Sequence, residues 1–137
     1  MRPVERDSIL DFVTYEERRS AIRPRVLAEK SRRRIHVGGI LTFLFENQDT
    51  VRYQVQEMMR IERIVKEADI LHELATYNEL LGGRGELGAT LLIEIDDPEQ
   101  RALKLSAWME LPWHVYARLA DGRRVYRRFD ARQVGEE

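Results

Sequence analysis

The chain is organised around one predicted helix, Val51-Arg-Tyr-Gln-Val-Gln-Glu-Met-Met-Arg-Ile-Glu-Arg-Ile-Val65. Apolar side chains recur along it at helical spacing, which is enough to bury one face. This apolar stripe consists of Val51, Val55, Met58, Ile61 or Glu62, and Val65. The other flank carries Arg52, Gln56, Glu57, Arg60 and Arg63. A solvated helix face more often carries lysine and glutamate, so this flank predicts a hydrogen-bonding surface for an anionic or carboxylate-bearing partner.

Upstream of this helix, the sequence predicts a helical region followed by a hairpin. The stretch Ile35-His-Val-Gly-Gly-Ile-Leu-Thr-Phe-Leu-Phe45 reads as two strands around a Gly-Gly turn. Before it, Thr14-Tyr-Glu-Glu17 has the spacing of a capping box, which predicts that a helix opens at Tyr15. We expect Pro24 to interrupt this helix, with a basic helical stretch resuming over residues 25–34.

Downstream, the pattern predicts a helix after Asp69 and a central strand at Ala89-Thr-Leu-Leu-Ile-Glu-Ile95. Asp97-Pro98 supplies an N-cap followed by proline, and Asp121-Gly122 predicts a final hairpin. This order is typical of an α+β fold, with a mixed or antiparallel sheet of about five strands and helices packed mainly on one face. Because no repeat or linker interrupts the pattern, residues 1–137 are predicted to form a single domain.

Composition excludes several classes of site. The chain has no cysteine, which rules out disulfides, thiolate metal sites and cysteine nucleophiles within it. Its apolar runs are too short to predict a membrane span. Because the N-terminal residues lack an apolar signal core, we expect a cytoplasmic protein.

The basic residues are unevenly distributed and almost all are arginine. Among 23 basic residues only Lys30, Lys66 and Lys104 are lysines. Arginine clusters at residues 18–34 and 118–132 could bind an anion or a nucleic acid, because the guanidinium group donates two parallel hydrogen bonds to phosphate. The near-neutral charge, with a pI of about 6.3, disfavours nucleic-acid binding.

The candidate binding residues combine the polar helix flank with one strand carboxylate. Glu94 lies near the end of the predicted central strand, where a carboxylate must be solvated or paired with a cation. We expect Arg52 or Arg60 to be that cation. The predicted binding set is Arg52, Gln56, Glu57, Arg60 and Glu94. The alternative is that the same residues form a structural ion-pair network.

The histidines do not form a metal-binding motif. His36, His72 and His114 lie far apart in the sequence, and none belongs to a His-x-x-x-His or Glu-x-x-His pattern. No metal site or resident cofactor is therefore predicted. An assembled non-haem iron site of histidines and carboxylates stays open as an alternative. No residue is assigned a catalytic role.

The stretch Arg52-Tyr-Gln-Val-Gln-Glu-Met-Met-Arg-Ile-Glu-Arg-Ile64 resembles an uncharacterised bacterial family, a domain of unknown function. The resemblance extends over nearly the whole chain, at Arg23-Pro24, Phe43-Leu-Phe-Glu46, Tyr77-Asn78 and Ala89-Thr-Leu-Leu-Ile-Glu94. Members of that family are commonly encoded beside rubrerythrin and a cysteine-rich, heterodisulfide-reductase-like iron–sulfur protein. They also continue past the position of Glu137 with another apolar stretch.

The resemblance implies a role in peroxide reduction, iron handling or electron transfer. It does not imply a particular reaction. The leading hypothesis is a non-enzymatic accessory domain that binds rubrerythrin-like or iron–sulfur partner proteins. The first alternative is a non-haem metalloprotein or enzyme with histidine and carboxylate ligands. The second is an anion or nucleic-acid binder that uses the arginine clusters.

Overall fold

The computed structural model describes residues 1–128. Within them are four α-helices and five antiparallel strands, which confirms the α+β class. The chain divides into two compact units, Met1–Glu94 and a second that begins at Ile95. That residues 1–137 form one domain stays a prediction. None of the helices in the described residues is long and apolar enough to cross a membrane.

The first unit begins with a 3₁₀ turn at Arg6–Ser8 and contains three helices and three strands. Their order is α1 (Phe12–Arg32), β1 (Arg34–Val37), β2 (Leu41–Phe45), α2 (Gln48–Glu62), α3 (Glu67–Asn78) and β3 (Ala89–Ile93).

Helix α1 corrects two sequence-based expectations. It begins at Phe12, before the predicted start, because the side chain of Asp11 accepts a hydrogen bond from the backbone N–H of Thr14. It also continues through Pro24 without interruption. Buried Tyr15 and Val26 anchor the helix on either side of the proline, and their packing offsets the hydrogen bond that proline removes.

Helix α2 is capped by Asn47 in a reciprocal capping box. The Asn47 side chain accepts from the Thr50 N–H, and the Thr50 hydroxyl accepts from the Asn47 N–H, both at 2.9 Å. Of the predicted apolar stripe, Val51 and Val55 are buried. The prediction of Met58 is wrong, because Met58 is half-buried and its neighbour Met59 is buried instead. The predicted continuation to Ile61 and Val65 is wrong, because the helix ends at Glu62 and both side chains are exposed.

The three strands form an antiparallel sheet in the order β1-β2-β3. Gly38 and Gly39, in the predicted turn between β1 and β2, both have positive φ, which glycine adopts without strain. Side chains of β2 alternate between faces, so Thr42 and Leu44 are buried whereas those between them are half-buried. The two faces of the sheet are therefore unequally covered.

The core of the first unit joins α2 and α3 to the N-terminal segment. It is formed by Val4, Ile9, Val51, Val55, Met59, Ile70, Leu74 and Leu81. Because the segment before α1 contributes two of these side chains, its position beside α2 is fixed by apolar packing as well as by hydrogen bonds.

The second unit contains α4 (Pro98–Ala107), a 3₁₀ turn at Leu111–His114, and strands β4 (Tyr116–Arg118) and β5 (Arg124–Tyr126). The predicted Asp97 cap is confirmed, since its side chain accepts from the N–H of Glu99. The predicted hairpin is also present, but among residues 1–128 β4 pairs with β5 alone. The five predicted strands therefore form two sheets and not one. Phe129, expected in the last strand, and Arg132 lie outside the described residues.

Candidate functional site

Two of the predicted binding residues hold the segment that precedes α1. Gln56 is 3% exposed, and its amide forms two bonds with the backbone of Leu10. It accepts from the Leu10 N–H at 2.6 Å and donates to the Leu10 carbonyl at 3.1 Å. Arg52 donates to Asp49 at 3.0 Å and to the Ser8 hydroxyl at 3.3 Å. This part of the polar flank therefore fastens the N-terminal segment to α2.

The next two predicted residues join α2 to α1. One carboxylate oxygen of Glu57 accepts from the Tyr15 hydroxyl at 2.7 Å and from Arg19 Nε at 2.8 Å. Arg60 donates to Glu16 at 2.8 Å. Burial alone would raise the pKa of Glu57, but the bonds from Arg19 and Tyr15, with nearby positive charge, leave that pKa below its ordinary value. Glu57 is therefore an ionised acceptor at neutral pH.

Tyr15 is a fixed hydrogen-bond donor. Its side chain is almost fully buried, and its pKa is raised first by that burial and then by the hydrogen bond to ionised Glu57. A phenolate here would face a carboxylate within hydrogen-bonding distance, which is electrostatically unfavourable. The hydroxyl therefore keeps its proton and orients the Glu57 carboxylate.

Glu94 belongs to a different group of side chains. Its carboxylate accepts from the buried Thr42 hydroxyl at 2.8 Å, and that hydroxyl lies 2.9 Å from Nδ1 of His36. Since Thr42 has one hydroxyl proton and donates it to Glu94, His36 must be the donor to Thr42. The expected ion pair of Glu94 with Arg52 or Arg60 is wrong, because both arginines pair with other acids.

The five predicted residues do not share a partner. Four lie along α2 and contact residues 8–19. Arg52 also contacts Asp49 on the same helix. The fifth, Glu94, contacts β2. Whether these residues bind a ligand or partner stays a prediction.

A second set of polar residues, which the sequence did not single out as a group, lies between α1 and α2. We define the polar layer as Tyr15, Arg19, Lys30, Glu46, Tyr53 and Glu57. Hydrogen bonds join Tyr15 and Arg19 to Glu57, and Lys30 Nζ lies 5.2 Å from the centre of the Tyr53 ring. Both tyrosines and Glu46 are buried, whereas Arg19, Lys30 and Glu57 are half-buried, so the layer extends from the interior to the surface.

Glu46 closes the polar layer on the side of the sheet. It is 8% exposed, and its two carboxylate oxygens accept from the hydroxyls of Thr50 and Thr90, the latter at 2.8 Å. Its charge acts on Lys30, but the two groups form no ion pair. The acid is held by neutral donors instead.

Lys30 is the unpaired member of the layer. Within residues 1–128 its amine has neither a hydrogen bond nor an ion pair. Burial lowers the pKa of Lys30; Arg34 acts in the same direction, whereas Glu46 and Glu57 oppose the shift. The face of the Tyr53 ring also favours the charged amine. The amine therefore loses its proton more readily than an ordinary lysine.

Two signals in the sequence could have pointed to this layer. Lysine is rare in a chain whose basic residues are nearly all arginine, which makes each lysine position noteworthy. Glu46 directly follows the apolar run Phe43-Leu-Phe45, where an acid is expected to be paired or bonded. Neither signal identifies the partner, because α1 and α2 are separated by the hairpin.

The three histidines lie on different elements of the structure. His36 contacts Thr42, His72 lies on α3, and His114 lies in the second unit. No group of three or more histidine, aspartate or glutamate side chains within residues 1–128 is placed to hold a metal ion. Two shallow depressions lie on the surface. One is lined by Met1, Arg2, Asn47, Gln48 and Asp49, and the other by Glu29, Arg32, Arg33, Ile35 and Phe45.

Comparison with known proteins identifies a family and one similar structure. A family model described as "Protein of unknown function (DUF3501)" matches residues 3–137. A crystal structure of a novel protein of unknown function from Burkholderia pseudomallei is 37% identical, with a TM-score of 0.85. That similarity covers 90% of this chain and 70% of the other. No curated protein matches the sequence. The resemblance to a domain of unknown function is confirmed, and the association with rubrerythrin stays a prediction.

Proposed function

The chain belongs to the DUF3501 family of proteins of unknown function, and from this premise we propose that it is a binding domain. It assists a redox, peroxide-stress or iron-handling system in the cytoplasm, and it is not itself a catalyst. Its partners under this proposal are rubrerythrin-like or iron–sulfur proteins, as the resemblance of the 52–64 stretch implies. The binding surface is the polar flank of α2, with Glu94 as a further exposed carboxylate.

The exposure of two arginines on this flank carries the proposal. The side chains of Arg52 and Arg60 are 31% and 35% exposed, and their acidic partners Asp49 and Glu16 are 66% and 47% exposed. Exposed ion pairs of this kind contribute only about 0–1 kcal/mol to stability. A carboxylate on a partner protein can therefore replace either acid at little cost.

The bonded side chains of Gln56 and Glu57 keep the polar flank of α2 rigid. Gln56 is fixed by the backbone of Leu10, and Glu57 is fixed by Tyr15 and Arg19. Because these groups lie between the two arginines along the helix, the arginines are presented from a fixed backbone. A rigid presentation lowers the entropy lost on binding.

The test is titration of purified chain into a purified rubrerythrin-like protein and into the iron–sulfur protein, followed by calorimetry. The substitution Arg60→Ala should weaken binding about tenfold, since truncation of an interface arginine commonly costs more than 1 kcal/mol. Arg32→Ala is the matched control: this arginine is also paired with an acid, but it lies on α1 and is 75% exposed. It should bind like the wild type.

Both variants should unfold in urea within about 0.5 kcal/mol of the wild type, because exposed ion pairs contribute little to stability. Failure of both proteins to bind the wild type would refute the proposed partners. Equal affinity of the wild type and Arg60→Ala would refute the assigned surface.

A further inference from the structure

Strand β1 is an open edge of the first sheet. Among residues 1–128 it pairs with β2 alone, and all four of its side chains are exposed. The N–H of Phe45 donates to the carbonyl of Arg33, which marks these two residues as a hydrogen-bonded pair. Because bonded pairs alternate along an antiparallel ladder, the backbone groups of Arg34 and His36 point away from β2. This edge can therefore accept a further strand.

The two faces of β1 differ in chemistry. Ile35 and Val37 are 53% and 45% exposed, and they lie beside apolar side chains of β2 on the same face of the sheet. Arg34 and His36 lie on the opposite face, since side chains alternate along a strand. The side chains of an added strand would lie on the same faces as their neighbours on β1. The edge therefore favours a segment in which polar and apolar residues alternate.

Positive charge is concentrated on the face that carries Arg34. Within residues 1–128 neither Arg34 nor Lys30 forms an ion pair or a side-chain hydrogen bond. The charge of Arg34 acts on Lys30, so the two groups lie near each other. Glu94, at the other edge of the sheet, is already bonded to Thr42. A carboxylate placed beside Arg34 would therefore meet positive charge that no ion pair neutralises.

We propose that β1 binds an extended segment of a partner protein in which acidic and apolar side chains alternate. The segment adds antiparallel to the edge, because antiparallel pairing is slightly more stable per residue. Residues opposite Arg34 and His36 exchange backbone hydrogen bonds with them, and the residue opposite Arg34 is an acid. Residues opposite Ile35 and Val37 are apolar. This surface is separate from the polar flank of α2, so the proposal does not rest on the function proposed above.

A second copy of the chain is a less favourable occupant of this edge. Two β1 strands that pair antiparallel with their faces aligned would bring both Arg34 side chains close together on one face. Like charges on neighbouring strands are destabilising, whereas an acid beside Arg34 forms a cross-strand ion pair. The charge of the edge therefore favours an acidic partner over self-association.

The test uses a labelled, end-capped peptide of alternating glutamate and valine, and fluorescence anisotropy measures its binding to the full chain. We expect saturable binding that Arg34→Glu weakens about fivefold, because a cross-strand attraction becomes a repulsion. A peptide of alternating lysine and valine should prefer Arg34→Glu to the wild type. Arg18→Glu is the matched control, since Arg18 is also exposed and unpaired within residues 1–128 but lies in the second turn of α1. Both Arg18→Glu and Arg60→Ala should bind the glutamate peptide like the wild type.

Methylation of the peptide backbone tests whether the segment pairs as a strand. In the proposed pairing the glutamate N–H groups face β1 and the valine N–H groups point away. Methylation of the glutamate amides should abolish binding, whereas methylation of the valine amides should leave most of it. Bound peptide should also slow hydrogen exchange at the N–H groups of Arg34 and His36 in the wild type.

Three results would overturn the proposal. The first is no saturable binding of the glutamate–valine peptide, and the second is an equal loss in Arg34→Glu and Arg18→Glu. The third is a concentration-dependent dimer, seen by sedimentation, in which the N–H groups of Arg34 and His36 are protected without peptide; this would assign the edge to a second copy. The peptide and exchange measurements on the wild type decide the question even if Arg34→Glu fails to fold.

Discussion

Replacement of Gln56 by leucine should destabilise the chain strongly although the two side chains have similar volume. Gln56 is 3% exposed and forms hydrogen bonds of 2.6 and 3.1 Å with the N–H and the carbonyl of Leu10. Leucine at position 56 cannot form either hydrogen bond. The N–H and the carbonyl of Leu10 would then have no partner in a partly buried position. Each orphaned group costs about 1–3 kcal/mol, and partial access to water favours the lower value. We expect a loss of about 2–3 kcal/mol.

The measurement is urea unfolding of wild type and Gln56→Leu, followed by circular dichroism. The matched control is Gln54→Leu, since Gln54 lies on the same helix, is half-buried, and its side chain has no hydrogen bond within the described residues. The control should stay within about 0.5 kcal/mol of the wild type. A loss below about 0.5 kcal/mol for Gln56→Leu would refute the view that this amide fastens the N-terminal segment.

Three further predictions test the polar layer and the backbone around it. The lowered pKa of Glu57 means that its carboxylate stabilises the fold above about pH 4.3, the pKa in the unfolded chain, and that this stabilisation is lost as pH falls through the folded pKa. Glu57→Gln should therefore show a smaller loss of urea stability on acidification; an unchanged pH dependence would contradict this. Gly88→Ala should cost about 3 kcal/mol or prevent folding, because its new Cβ would lie 1.6 Å from the Leu80 carbonyl oxygen. In Gly83→Ala the new Cβ would make only ordinary van der Waals contact with the Glu86 carboxylate, at 3.6–3.9 Å, so this variant should be nearly neutral in the same urea measurement. Equal effects of the two substitutions would refute the clash. Asn47→Ala should cost about 1 kcal/mol through loss of the capping box, read from the urea midpoint, and no change would argue against that cap.

Much of the fold could be predicted from local sequence patterns. The glycine turn between β1 and β2, the presence of a strand at Ala89–Ile93 and the Asp97 cap all follow from short-range chemistry. The prediction that this strand is central is wrong, because β3 lies at the edge of its sheet. The continuous α1 could not, because the cost of Pro24 is offset by tertiary packing that the local pattern does not contain. Division of the strands into two sheets depends on long-range pairing, which the alternation of side chains leaves open.

For the polar flank of α2, the sequence predicted the positions of the side chains but not their contacts. Helical spacing correctly placed Arg52, Gln56 and Arg60 along one side of the helix. It could not reveal that this side faces the segment before α1 and the first turns of α1. The expected pairing of Glu94 with an arginine failed for the same reason, because a buried threonine supplies the bond instead.

Lys30 could not be identified from the sequence as a member of the polar layer, because its surroundings come from three separate parts of the chain. It belongs to α1, the ring it faces belongs to α2, and the acid that acts on it follows β2. Burial, which is the largest cause of its lowered pKa, arises only once these elements pack together.

The most direct test of the electrostatics of the polar layer is an NMR titration of the lysine side chains. The chain has only three lysines, so Lys30 can be assigned from the signal that disappears in Lys30→Arg. The structure predicts that Lys30 titrates below the ordinary lysine pKa of about 10.4. A midpoint at or above that value would mean that Tyr53 and Glu46 stabilise the ammonium by more than burial disfavours it, which would contradict this account of the polar layer.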